Sequence, residues 1–241
     1  MRAAIVTGAA GGIGLALCEG FRAAGYRVIG VDIGAGSPGV LALDLERLCN
    51  DEGYRRDALQ RLLAELNNDE LHVLINNAAV QILGGTGELT VAAWQRTLNV
   101  NLLAPFLLAQ ALLERLEVAR GSIVNIASIH ASLTKPGFVA YATSKAALLG
   151  LTRSMAVDIG SRVRVNAICP AAIATPMLLE GFKDNEAALD VLAGMHPAGR
   201  IGHPEEVASA AVFLASPQAE FINGSVLGID GGIGSRLHDP V

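Results

Sequence analysis

The sequence predicts an α/β fold: a doubly wound, mostly parallel sheet in a single domain. Two observations carry that expectation. Short apolar runs alternate with helix-period segments almost from end to end, the pattern of successive strand–helix–strand crossovers. The runs are also apolar throughout rather than at every second residue, as strands covered on both faces are.

In chain order the expected strands are Ala3–Thr7, Arg27–Val31, Val40–Leu43, Val73–Asn76, Ser122–Ile126, Arg164–Ile168 and Ser225–Ile229. Helix-period segments lie between them at about 13–24, 55–67, 92–116, 141–159 and 204–214. Gly34–Gly39 reads as a surface loop after the second strand. No internal repeat, low-complexity tract or proline-rich linker divides the 241 residues, so 1–241 is expected to fold as one unit.

Composition narrows the function classes. Hydrophobic residues make up 51% of the chain and charged residues 17%, so some helices are expected to hide in subunit contacts. A net charge of −5 with no basic stripe argues against nucleic acid or an anionic membrane as the main partner. Cys18, Cys49 and Cys169 are odd in number and scattered, which fits reduced thiols in the cytoplasm, and no Cys/His cluster has metal-ligand spacing. The start, Met1-Arg2 before an apolar run, superficially resembles a secretory signal, but Gly8, Gly11, Gly12 and Gly14 interrupt that run. The uncharged stretch Thr97–Leu113 carries Asn99, Asn101, Pro105 and Gln110, and reads as a buried helix rather than a membrane span.

The first expected strand runs into Thr7-Gly8-Ala9-Ala10-Gly11-Gly12-Ile13-Gly14 and then a helix. Glycines there let the backbone turn sharply and approach a pyrophosphate, which the free N–H groups and dipole of a helix N-terminus stabilise. The second strand ends at Asp32, 18 residues past Gly14, where a carboxylate can accept hydrogen bonds from adenosine ribose hydroxyls and would repel a 2′-phosphate. The next residue, Ile33, is not basic, and Gly11 stands where a phosphate-clamping cation could have been. The cofactor expected from these residues is NAD, bound on a Rossmann-type fold.

Tyr141-Ala142-Thr143-Ser144-Lys145 sets a phenol and an ammonium at i and i+4 on one helix face. Tyrosine titrates near about 10 and is a poor base at neutral pH. A neighbouring ammonium and an oxidised nicotinamide favour phenolate, suiting the pair to proton transfer with an alcohol oxygen. Ser128, 13 residues earlier and just past the fifth expected strand, can hold the same oxygen.

Together these residues resemble the short-chain dehydrogenase/reductase family over essentially the whole chain. The family's strand-end Asn-Asn-Ala-Gly matches Asn76-Asn77-Ala78-Ala79, and its Pro-Gly segment with the following threonine matches Pro170-Ala171 and Thr175. Its closing motifs match Arg200–Glu206 and Gly228–Gly232. Ala79 and Ala171 replace family glycines, from which local shifts rather than lost binding are expected. The resemblance implies that Tyr141 is the acid/base, that Lys145 lowers its pKa and holds the nicotinamide ribose, and that Ser128 holds the substrate oxygen. It places the fourth catalytic residue at Asn101, positioning Lys145 through a water. It implies that Gly8, Gly12, Ile13 and Gly14 form the glycine motif and that Asp32 and Ile33 flank the adenine ribose. Asp44 and Leu45 would border the adenine, Asn77 and Ala78 lie along the cofactor, and Pro170, Ile173 and Thr175 meet its nicotinamide end.

Substrate residues are the least legible. His130, two residues after Ser128, can hydrogen-bond a polyhydroxylated or carboxylated substrate or can simply face solvent. Gln81, Phe138 and Met177 are candidate lining residues. The segment from about 176 to 199 resembles the family's mobile lid, and its alternation fits an ordinary surface helix equally. The helices around Leu102–Leu116 and Ala146–Ile159 are too apolar to face water, and the resemblance implies a homodimer or homotetramer built on them. The expected activity is hydride transfer between NAD and a small secondary alcohol, polyol, sugar or hydroxy acid. An NADPH-type ketone or β-ketoacyl reductase and a non-catalytic NAD-binding regulator are the alternatives.

Overall fold

The computed structural model describes residues 1–34 and 39–237. Seven strands form one all-parallel sheet: β1 (Arg2–Thr7), β2 (Arg27–Asp32), β3 (Val40–Ala42), β4 (Glu70–Asn76), β5 (Ser122–Ile126), β6 (Arg164–Pro170) and β7 (Val226–Ile229). Their spatial order is β3-β2-β1-β4-β5-β6-β7. The order reverses between β1 and β4, and the crevice beyond the strand ends at such a reversal is where ligands bind in open α/β sheets. Every expected strand is present. Of the expected Gly34–Gly39 loop, residues 35–38 lie outside the described residues.

The central strands are apolar because both faces are covered, while the edge strands β3 and β7 are only partly buried. On β1, Ala3 and Ile5 join one core cluster, with Leu62, Leu74 and Leu112, while Ala4 and Val6 join the other, with Leu17, Phe21 and Val207. Helices α1 (Gly12–Ala23) and α9 (Pro204–Ala215) cover the second face. The first is covered by α3 (Glu52–Leu66), α5 (Ala104–Val118) and α6 (Val139–Ile159).

Two helix expectations need correcting. A short helix α2 (Leu45–Asn50), which periodicity missed, follows β3; Asp44 caps it, Oδ1 accepting from Arg47 N at 3.0 Å. The single helix expected at 92–116 is three pieces: α4 (Val91–Leu98), a π-helical turn over Asn99–Leu103, and α5. This run of 28 residues has the length and apolarity of a membrane span, yet Val100, Ala104, Leu108, Leu112 and Leu116 are buried in the core. The extra residue in the π turn coincides with Asn101, whose carboxamide is taken up by other groups.

A buried polar chain sets α6 against the sheet. Asn76 Nδ2 donates to Asn125 Oδ1 (2.8 Å), Asn125 Nδ2 to Thr152 Oγ1 (2.9 Å), and Thr152 Oγ1 to Leu148 O (2.8 Å). A group left unpaired in such a core costs more than its bond contributes, so this chain fixes one register of α6 over β4 and β5.

Candidate active site

Beyond the ends of β1 and β4 the glycine loop is packed backbone against backbone. A Cβ on Gly14 would stand 1.9 Å from Gly8 O, one on Gly8 would stand 2.8 Å from Ala78 Cα, and one on Gly12 would stand 2.9 Å from Pro176 Cδ. Gly8 also has φ +66°, which a side chain disfavours. Thr7 joins this loop to β4: its hydroxyl donates to Ile75 O and accepts from the N–H groups of Asn77 and Ala78, both at 3.0 Å. Asn77 turns its carboxamide back onto Thr7 O and Gly8 O, at 2.9 and 3.2 Å. It therefore braces the loop, and only part of it borders the open cleft.

That cleft has a volume of about 530 Å³. Of the residues expected at the cofactor, Gly8, Gly12, Ile13, Gly14, Asp32, Ile33, Asp44, Leu45, Asn77, Ala78 and Thr175 line it. Asp32 accepts from Ala10 N (2.9 Å) and from Ile33 N (2.7 Å), one bond to each oxygen, which leaves lone pairs for ribose hydroxyls. The cradle fits a dinucleotide: bare glycine backbone lines it at the N-terminus of α1, and the Asp32 carboxylate shares the lining. Sequence reasoning missed Glu46 and Arg96 here, on the unrecognised α2 and on α4; the two form an ion pair at 3.0 Å. Met177, expected at the substrate, also lines this cleft and is 83% exposed. Pro170 and Ile173 are buried next to it, Ile173 pairing with Gly202.

Beyond β5, Ser128 caps a 3-10 turn (Ile129–Ala131), its hydroxyl accepting from His130 N at 3.2 Å. Burial pushes the Tyr141 phenol above its ordinary pKa, and a hydrogen bond with the Ser128 hydroxyl opposes that shift. Lys145, fully buried one turn along α6, donates to Ile126 O at 2.8 Å, with its ammonium 5.7 Å from the centroid of the Tyr141 ring. Desolvation lowers Lys145 to about 8. In the protein alone desolvation is the largest influence on the phenol; the expected depression belongs to the complex, where oxidised nicotinamide adds its positive charge to that of Lys145.

Asn101 is 1% exposed and its carboxamide is fully used. Oδ1 accepts from Val80 N (2.8 Å), while Nδ2 donates to Val80 O (2.9 Å) and to Ser144 Oγ (3.0 Å). Ser144 in turn donates to Tyr141 O at 2.7 Å. The side chain of Asn101 thus reaches the segment after β4 and, through Ser144, the catalytic turn of α6, rather than Lys145 itself. Ser144 is another residue that the sequence did not single out; only its place between Tyr141 and Lys145 hinted at it.

His130 is half-buried, not a free surface ring. It stacks on Phe138 at 4.3 Å with planes 1° apart, meets Tyr141 edge-on at 5.8 Å, and bonds Thr134 Oγ1 through Nδ1 at 3.0 Å. Burial, and then the charge of Lys135, lower its pKa and favour the neutral ring. The Phe138 ring lies edge-on to that of Tyr141, with centroids 6.1 Å apart. Gln81 lies exposed on the segment whose Gly84 N–H donates to Gly137 O at 2.8 Å, and no side-chain bond ties it to the phenol. The expected lid is two helices, α7 (Pro176–Glu180) and α8 (Glu186–Met195), neither of which buries a residue.

Comparison with known proteins agrees along the whole length. The family model described as enoyl-(acyl carrier protein) reductase matches residues 8–234. D-threitol dehydrogenase of Mycolicibacterium smegmatis is 37% identical over 246 residues, 96% of this chain and 92% of that protein. The L-tagatose-forming galactitol 2-dehydrogenase of Cereibacter sphaeroides is 35% identical, covering 95% and 93%. The ligand-free aldohexose dehydrogenase of Thermoplasma acidophilum has a TM-score of 0.90 at 33% identity, covering 100% of this chain and 96% of that one.

Proposed function

This chain belongs to the short-chain dehydrogenase/reductase family and is an oxidoreductase of alcohol groups, and from that premise we propose that it uses NAD to oxidise a small polyol, sugar or hydroxy acid. One arrangement carries this reading. A partly buried phenol whose ionisation the Ser128 hydroxyl favours, with a buried ammonium one helical turn on, stands beside a glycine-walled cleft lined by the Asp32 carboxylate.

In this reading a bound nicotinamide would supply the hydride acceptor for the carbinol carbon. Tyr141 takes the hydroxyl proton as base, and returns it as acid in the reverse direction. Ser128 holds the substrate oxygen against Tyr141. Lys145, its ammonium already stripped of water, stabilises the phenolate and reaches the nicotinamide ribose, while Asn101 and Ser144 hold the catalytic turn in place. His130 and Phe138 form one wall of the substrate site, with neutral His130 offering a hydrogen bond to a polyol hydroxyl. The segment at about 176–199 closes over it as a lid, a role that fits two helices with no buried residues and with exposed Met177, Val191 and Met195.

NAD rather than NADP is supported by Asp32, which lines the cleft, keeps a free lone pair on each oxygen and forms no ion pair among the described residues. The specific feature that favours an NADPH-type reading is Arg96, the basic side chain lining the cleft among the described residues. We place the enzyme in the cytoplasm, where its three buried free thiols stay reduced. Its assembly is a homodimer or homotetramer through α5 and α6, which leave Phe106, Val118 and Val157 exposed on the monomer. The test is NADH formation across a panel of polyols, aldoses, aldonic acids and simple secondary alcohols, with each cofactor. Turnover of polyols or sugars with NAD is expected; turnover of none of them overturns the reading.

A further inference from the structure

The adenosine end of the cleft holds three carboxylates, Asp32, Asp44 and Glu46, and one guanidinium, Arg96. The three acids are not equivalent. Asp32 braces the glycine loop, and Asp44 caps α2. Glu46 does neither, and its carboxylate reaches across from α2 to α4 to hold Arg96 Nε at 3.0 Å. Both partners are solvent-accessible, Arg96 by 50% and Glu46 by 37%, so the pair adds little to the fold. Its effect falls instead on what can enter the cleft.

We infer that Glu46 is a second determinant of cofactor choice, acting through Arg96, an inference that rests on the NAD reading of the same cleft. An arginine fork on a cofactor wall is the side chain best shaped to take a 2′-phosphate, through paired charge-assisted hydrogen bonds. Here Nε already holds the Glu46 carboxylate, which offsets the charge of the guanidinium. A phosphate arriving at the ribose therefore meets Asp32 directly and finds little net positive charge at Arg96. NAD brings no charge to that place and loses nothing. Discrimination thus has two parts: repulsion by Asp32 on the ribose side, and removal of the available cation by Glu46 on the opposite wall. Rejection built from both kinds of element is the usual way in which one ligand is told from a close analogue.

Calorimetric titration of the full-length protein with NAD and with NADP, at low and moderate salt, separates the parts. Glu46→Gln keeps the shape of the side chain and leaves the Asp44 cap of α2 in place. It is expected to lower the ratio of Kd for NADP to Kd for NAD by about threefold to tenfold, more at low salt. Arg96→Gln alone is expected to give no such gain, and the double variant to return to the wild-type ratio. An unchanged ratio in Glu46→Gln overturns the inference, and so does a gain that persists in the double variant, since Arg96 would then play no part. The NAD reading is tested separately by the wild-type ratio: equal affinity there defeats that reading whatever Glu46→Gln does.

Discussion

The cofactor end and the chemical end of this site are made of different material. At the cofactor end the wall is main chain, with Gly8, Gly12 and Gly14 packed so closely that a methyl group on any of them meets another atom within 3 Å. At the chemical end the working groups are side chains, and Lys145, Ser144 and Asn101 are almost completely buried and tied to carbonyls and to one another. The substrate side beyond them is different again, since α7 and α8 bury nothing. The contrast teaches that a shape common to every turnover can be built in permanently. Reactive groups, by contrast, need desolvation and polar anchors, and a cover that must open cannot share the core.

The largest effect expected from breaking this contrast is at the chemical end. Tyr141→Phe removes the proton-transfer group and leaves the cleft intact, so turnover should fall by about a hundred- to ten-thousandfold while NAD affinity changes little. Steady-state kinetics beside calorimetry reads both. A variant that kept a tenth of the wild-type rate would show that another group moves the proton.

At the cofactor end, Gly14→Ala and Gly11→Ala make a pair in one loop. Alanine at Gly14 drives its Cβ to 1.9 Å from Gly8 O, whereas at Gly11 the nearest atom is 3.5 Å away. The first should lose about 1–3 kcal/mol or more of stability and most cofactor binding. The second should change stability by less than about 1 kcal/mol. Denaturant titration decides it, and equal losses would mean that the close packing of this loop is not what it depends on.

The two ends should also sense each other. Burial holds the Tyr141 phenol above its ordinary pKa in the protein alone, with the Ser128 bond opposing. Oxidised nicotinamide is a cation and would favour the phenolate, so saturation with NAD should move tyrosinate formation to lower pH. Alcohol oxidation, which needs phenolate, should accordingly rise with pH, and ketone reduction should be favoured at lower pH. The competing source is His130, whose pKa is lowered by burial. His130→Ala should keep the alkaline rise; its disappearance with substrate still bound would move the base away from Tyr141.

The smallest effect is at the start of α9. Arg200 holds Glu206 through two bonds of 2.8 and 2.7 Å, and Glu206 accepts from His203 N at 2.7 Å to start α9. These contacts lower Glu206 to about 2, below the unfolded value of 4.5. A depressed carboxyl contributes stability above the unfolded pKa and loses it as pH falls through the folded one. Glu206→Gln should therefore cost about 1 kcal/mol at neutral pH, discounted for exposure, and nothing near pH 2. The same loss at both pH values would assign the effect to the cap geometry instead of the charge.

Much of this was determined by the chain alone. Central strands buried on both faces must be apolar throughout, and the edge strands β3 and β7 are short apolar runs too, so all seven were legible; the glycine loop, Asp32, Ser128, Tyr141 and Lys145 were legible because each demand is local. A turn, a strand end and an i, i+4 pair are set by spacing along the backbone. What only the tertiary structure decided are the meetings between distant segments. The π turn places Asn101 against Val80 and Ser144, neighbours 21 and 43 residues away that no period encodes. Glu46 and Arg96 come from different helices, one of them too short for periodicity to reveal, and their 3.0 Å contact exists only because α2 and α4 border the same cleft. The sign of the shift at Tyr141 belongs here too. The spacing predicts a helping ammonium, but desolvation depends on everything that excludes water, and that is a property of the folded core.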